Sequence, residues 1–124
     1  MTPGSVFDLD GLQCGVTNAW ESFDLTTVNG NAVRLRVMQD VTANWHTHET
    51  SDELFYVISG TVHVDTERGT SEIRAGQLLL VPAGTRHRGR VEGRAAMLVV
   101  DGISATRQQD ATAPAASREG GTIQ

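Results

Sequence analysis

The run His46-Thr47-His48-Glu49-Thr50-Ser51-Asp52-Glu53-Leu54-Phe55-Tyr56-Val57-Ile58-Ser59-Gly60 decides how this chain of 124 residues is read. Its first three residues set two imidazoles two positions apart. On a β-strand such residues share a face, roughly 6.6 to 7 Å apart, so two long rings can lean until both nitrogens lie about 2.1 Å from one ion. Glu53 then opens a stretch rich in aromatic and β-branched residues, a strand over 53–59 that Gly60 closes. In that strand Glu53 faces the same way as Phe55 and Val57, so its carboxylate can reach the same ion from a paired strand. A slip of one residue would present Asp52 instead and turn Phe55 and Val57 outward.

The chain on either side has the same character. Thr61–Thr66 carries Val62 and Val64 on a shared face, with His63 in the opposite phase, an exposed strand position. Gln77–Val81 and Ala95–Val100 are nearly continuous apolar runs, as fully buried strands require. Upstream, Val33, Leu35 and Val37 alternate with Arg34 and Arg36, the pattern of a half-buried strand entered from the Asn29-Gly30-Asn31 turn. Turn residues recur at about ten-residue intervals and no segment offers a convincing helical stripe, which points to an all-β sandwich or barrel. Between two such strands the Pro82-Ala83-Gly84 turn leads to His87, a fourth candidate ligand. Three neutral imidazoles and one carboxylate suit a borderline divalent transition metal and leave coordination positions open.

Composition bounds the alternatives. Hydrophobic residues at 39% fit a single folded domain, and 15 acidic residues against 10 basic ones argue against a partner bound through phosphates. All ten basic residues are arginine, so a lysine-rich membrane patch is absent too. The one cysteine, Cys14, cannot form an internal disulfide and reads as a packed or semi-exposed thiol. The start, Met1-Thr2-Pro3-Gly4-Ser5, lacks the basic and apolar regions of a secretion signal, and no apolar run is long enough to cross a bilayer. The expectation is a soluble, cytoplasmic protein with a folded domain over 1–103. Residues 104–124, rich in Ala, Thr, Gln, Gly and Ser with Ile123 as their only large aliphatic, read as a flexible tail.

In these residues the chain resembles the cupins. The family's first motif runs glycine, five residues, His-x-His, three or four residues, Glu, six residues, Gly. Here it is matched by His46, His48, Glu53 and Gly60. The family's other motif runs Gly, five residues, Pro-x-Gly, two residues, His, and is matched by Gly76, Pro82, Gly84 and His87. The sequence departs at Asp40, where the first motif usually opens with glycine, and at Val91, where an asparagine often closes the other. The resemblance covers about Asp40 to His87 directly, with motifs around 40–60 and 76–91, and the strands on either side fit the same barrel. It implies a single jelly-roll-like β-barrel of two antiparallel sheets. It also implies one divalent transition metal ion (Mn, Fe, Ni, Zn or Cu) held by His46, His48, Glu53 and His87. A homodimer is a further implication, formed through sheet edges or exchanged N-terminal strands, with Val6–Leu9 and Trp20–Leu25 as candidate segments.

Strand phase proposes the pocket. Asn44 shares the phase of His46 and His48, Phe55 and Val57 that of Glu53, and Gln77, Leu79 and Val81 would line the opposite wall. Arg86, Arg88 and Arg90 alternate with inward-facing His87 and would face solvent or a partner subunit. The expected function is a metal-dependent enzyme acting on a small organic molecule, as an oxygenase, isomerase or lyase. A dioxygenase-like reaction is favoured because the ligand set leaves room for substrate and dioxygen together. The alternative is a non-catalytic module that binds or senses a small ligand. No nucleic acid or membrane is expected as a partner.

Overall fold

Residues 4–103 and the backbone of 107–109 are described by the computed structural model. Strands follow the turn chemistry closely: β1 (Trp20–Val28) and β2 (Asn31–Thr42) form a hairpin across Asn29 and Gly30. Both turn residues have positive φ, 49° and 79°, the pairing that a two-residue turn needs to match strand twist. There follow β3 (His46–His48), β4 (Glu53–Ser59), β5 (Thr61–Thr66), β6 (Gly69–Arg74), β7 (Leu78–Val81), β8 (His87–Gly102) and β9 (Arg107–Gln109). All pairings are antiparallel. The strands pair into one nine-stranded sheet, and the 16-residue β8 joins β2, β3, β4 and β5 within it. Its first residues pair with β5 and β3, while its second half lies between β2 and β4. The expected all-β barrel is therefore the fold. In the segment read as a tail, Arg107–Gln109 pair with His46–His48; the rest of 104–124 lies outside the described residues.

Three expectations need correction. The first concerns helix: Leu9–Cys14 forms α1, one short helix whose N-cap, Asp8, accepts a hydrogen bond from the Gly11 amide at 3.1 Å. Six residues are too few for a periodic stripe to show. Of the two candidate dimer segments, Val6–Leu9 ends on the first residue of this helix and Trp20–Leu25 lies within β1.

The second concerns which face of β2 lines the barrel. Leu35 and Val37 are fully buried, but on the outside, beneath Leu9 and Leu12 of α1 and beside Val16 and Ala96. Arg34, Arg36 and Met38 point inward instead, and Met38 belongs to the interior core with Trp20, Phe55, Val57, Val62, Val64, Met97 and Val99. Alternation says which residues share a face, and a second apolar layer outside the sheet reverses which face is inside.

The third is that β7 is not fully buried: Leu78 and Leu80 are 60% and 50% exposed, and only Leu79 and Val81 turn inward.

The missing glycine of the first motif has a structural explanation. Asp40 takes φ +47° at an irregularity between Gln39 and Val41 in the β2–β8 pairing, a conformation that normally favours glycine. Aspartate tolerates it better than most residues, and its Oδ1 accepts a hydrogen bond from the Gly93 amide at 2.7 Å. Asp40→Ala should destabilise by about 1–2 kcal/mol, because it loses that bond and fits the backbone poorly. Asp40→Gly should cost less. Urea unfolding of the two variants checks this, and equal losses would contradict it.

Candidate metal centre

β3 is short because both ends are tied: Ala43 N donates to Gly89 O at 2.8 Å, and Gly84 N donates to His48 O at 2.8 Å. The second contact comes from the Pro82–Thr85 turn, where Gly84 has φ +83° and Thr85 N donates to Pro82 O at 3.2 Å. A positive φ at the third turn position is where glycine is required. Asp52 braces the same turn, its Oδ1 accepting from Ala83 N at 2.9 Å. Asp52 is exposed and thus serves the turn, while Glu53 faces inward opposite Val81.

Strand pairing then delivers the side chains. His46 lies directly across from His87, with ring centroids 4.3 Å apart. His46, His48, Glu53 and His87 are all buried, and one potential ligand atom from each lies within 4.8 Å of the others. His46 Nδ1 is 2.9 Å from Asn44 O, and His87 Nδ1 is 2.8 Å from Thr85 O. A carbonyl can only accept, so each Nδ1 carries a hydrogen and each Nε2 is turned to the interior.

This geometry fits a cation. His87 Nε2 stands 2.9 Å from Glu53 Oε1, and His48 Nε2 stands 3.4 Å from the same oxygen. An approach of Nε2 to a carboxylate at that distance is satisfied either by a ring proton on Nε2 or by a bound cation. Glu53 Oε2 is buried with no hydrogen-bond partner. Burial alone would raise the Glu53 carboxyl, but hydrogen bonds from His48 and His87 and the charge of Arg36 outweigh it. The group is held well below the usual carboxylate range, ionised and ready to ligate. The four side chains could therefore hold one divalent ion.

The remaining pocket candidates divide. Phe55 is buried with its ring 6.3 Å from that of His87, and Val57 lies deeper on the same face. Asn44 is buried beside His46, and neither its Oδ1 nor its Nδ2 has a hydrogen-bond partner. Leu79 packs half-buried against the interior core. Gln77 lies elsewhere: it is exposed and its Oε1 accepts from Arg74 N at 2.9 Å, closing the β6–β7 turn. Leu79 and Val81 turn toward the interior core on that side, and Gln77 does not.

His63 is half-buried near Glu72, on the opposite face from Val62 and Val64. The arginines of β8 do face outward, where Arg88 and Arg90 each hold Asp65 Oδ2 at 2.9 Å. Arg86 and Arg88 also lie over the Trp45 ring. Cys14 is exposed.

Sequence reasoning missed Arg36, whose charge acts on Glu53 from inside the barrel. The available signal was its phase shared with Met38.

Comparison with known proteins agrees with this architecture. The family described as a cupin domain matches residues 33–101. Uncharacterized protein YdbB of Bacillus subtilis is 38% identical over 81 residues, covering 64% of this chain and 71% of YdbB. Polyketide synthase CurC of Streptomyces cyaneus is 42% identical over 48 residues, covering 39% of this chain but only 31% of CurC. Among solved structures, a cupin-2 domain protein from Shewanella frigidimarina superposes with TM-score 0.71 at 19% identity, over 77% of this chain and 92% of that one.

Proposed function

The chain belongs to the cupin family, and from that premise we propose that it is a divalent-metal enzyme acting on a small organic molecule at His46, His48, Glu53 and His87. One observation carries the reading. Two of the imidazoles are anchored through Nδ1 to backbone carbonyls, leaving Nε2 to converge with a buried carboxylate. Such outer-shell anchoring is what orients metal-binding histidines. An ion held there would supply Lewis acidity toward a carbonyl or enolate oxygen, or redox capacity if its identity allows. The protein's own contribution is to fix the rings, keep Glu53 ionised and exclude water with Phe55. Asn44 offers two donors and an acceptor to a bound molecule. The resemblance to CurC, a polyketide synthase by name, supports an oxygen-rich substrate handled through carbonyl polarisation. The ligand set itself favours the second reading, a dioxygenase-like reaction, because it leaves several positions open.

A second copy of the chain is the expected protein partner. Among the described residues β7 is paired on one side only, by β4, and its outward Leu78 and Leu80 are exposed. No helix among them is long and apolar enough to cross a membrane.

The test uses acetylacetone, a small chelating diketone, with protein stripped by chelator and then reloaded with manganese, iron, nickel, copper or zinc. Acetylacetone should raise the melting temperature of reloaded protein by several degrees and leave stripped protein unmoved. Equal binding to stripped protein would overturn the reading.

A further inference from the structure

Next to the four candidate ligands lies a buried amide with nothing to bond to. Residues 44, 46 and 48 are buried while Trp45 and Thr47 between them are half-exposed, so Asn44 shares the inward phase of His46 and His48. Its backbone is held in place. Asn44 O accepts from His46 Nδ1 at 2.9 Å, and the preceding residue donates from Ala43 N to Gly89 O at 2.8 Å. Asn44 is only 3% exposed, yet neither Oδ1 nor Nδ2 has a hydrogen-bond partner among the described residues. Buried polar groups are nearly always paired, and an unpaired amide costs free energy that a leucine of similar size would not. An amide left open on both atoms beside the cluster marks a place that a bound molecule completes.

The chemistry of that molecule follows from the inventory. A carboxamide presents an acceptor and a donor side by side. Its full complement carries the same pair reversed: a carbonyl whose nitrogen holds a hydrogen on the same side as the oxygen, as in a primary amide or a lactam. A carboxylate or a simple ketone supplies acceptors only and would leave Oδ1 buried and unpaired. A carbonyl oxygen has two lone pairs, so one can accept from Nδ2 while the other serves an ion at the cluster. A β-ketoamide meets both needs, since its ketone oxygen offers the ion a second ligand.

We propose that the site takes small β-ketoamides, as primary amides or lactams, with Asn44 as the specificity-determining residue that pairs with the amide N–H and oxygen. This rests on the reading of the cluster as a metal centre. A site built to hydrogen-bond an N–H rejects the analogue that lacks it, because its own polar group is then left buried without a partner.

The experiment is an NMR titration of zinc-loaded and chelator-stripped protein with acetoacetamide and with N,N-dimethylacetoacetamide. The second probe chelates through the same two oxygens but has no N–H. Zinc-loaded wild-type protein should bind acetoacetamide about tenfold more tightly, the worth of the hydrogen bond and of the orphan it removes. The Asn44 side-chain NH2 signals should shift with acetoacetamide well beyond their response to the dimethyl probe. Asn44→Leu should bring the two affinities within about twofold. That ratio is taken within one protein, so it does not depend on how much zinc each variant carries. The wild-type NH2 signals carry the test should Asn44→Leu not fold or bind neither probe. Equal affinities in wild-type protein, a preference that survives Asn44→Leu, or NH2 signals that answer both probes alike would overturn the proposal. So would zinc-loaded wild-type protein that binds neither probe. An intact amide preference that is the same in loaded and stripped protein would overturn the reading of the cluster alone.

Discussion

Exchanging His46 and His87 together for alanine should reduce bound metal from about one ion per chain to under a tenth of that, because only two of four ligands survive. The loss should exceed the roughly 10- to 100-fold penalty usual for disturbing an outer-shell partner, since these are the ligands themselves. Both rings come from the one place where β3 and β8 meet, so the substitution removes that side of the site at a stroke. It also takes from Glu53 its 2.9 Å contact with His87, leaving a buried carboxylate poorly compensated. Stability should then separate from metal binding in a readable way. Metal at about 100 times its dissociation constant should stabilise wild-type protein by about 2.7 kcal/mol and the double variant by almost nothing. Thermal unfolding with and without added zinc reports both. Equal stabilisation of the two proteins would show that the ion binds elsewhere.

Gly60→Ala should be the most damaging single methyl added to this chain, at about 3 kcal/mol or more. Gly60 has φ +78°, which costs an alanine about 1–2 kcal/mol before any contact is counted. The added Cβ would then lie 2.2 Å from Arg94 O and 2.8 Å from Ala95 Cα. Both are backbone atoms of β8, so relief requires moving the strand whose first residue is His87. Gly30 is the natural control: it has φ +79°, and a methyl added there would meet nothing within 4 Å. Gly30→Ala should lose only the conformational part, about 1–2 kcal/mol. Urea midpoints and slopes for the two variants decide the point, and equal losses would sink the packing argument.

Much of this arrangement was readable in the residues because strand phase and turn chemistry are local. His46, His48 and Glu53 fall in one phase each, and Pro82-Ala83-Gly84 fixes where β8 begins. What was not readable depended on a neighbouring layer. Nothing in Ala32–Met38 reveals that α1 covers Leu35 and Val37, and without that cover the arginines of β2 look like surface residues. Gln77 misled for a related reason: it continues the apolar run of β7 in sequence, but its side chain is claimed by Arg74 N across the turn. Asp40 was the opposite case, an irregular residue in the motif whose backbone kept the conformation and whose carboxylate added a bond to Gly93.

The central claim is that His46, His48, Glu53 and His87 close around one ion. X-ray absorption at the metal edge, on protein purified without chelator, reads that first shell directly. Three nitrogen donors and one protein oxygen at about 2.0–2.2 Å are predicted, at a stoichiometry near one and lost in the His46→Ala, His87→Ala variant. An ion bound mainly by sulfur, or a shell unchanged in that variant, would contradict it.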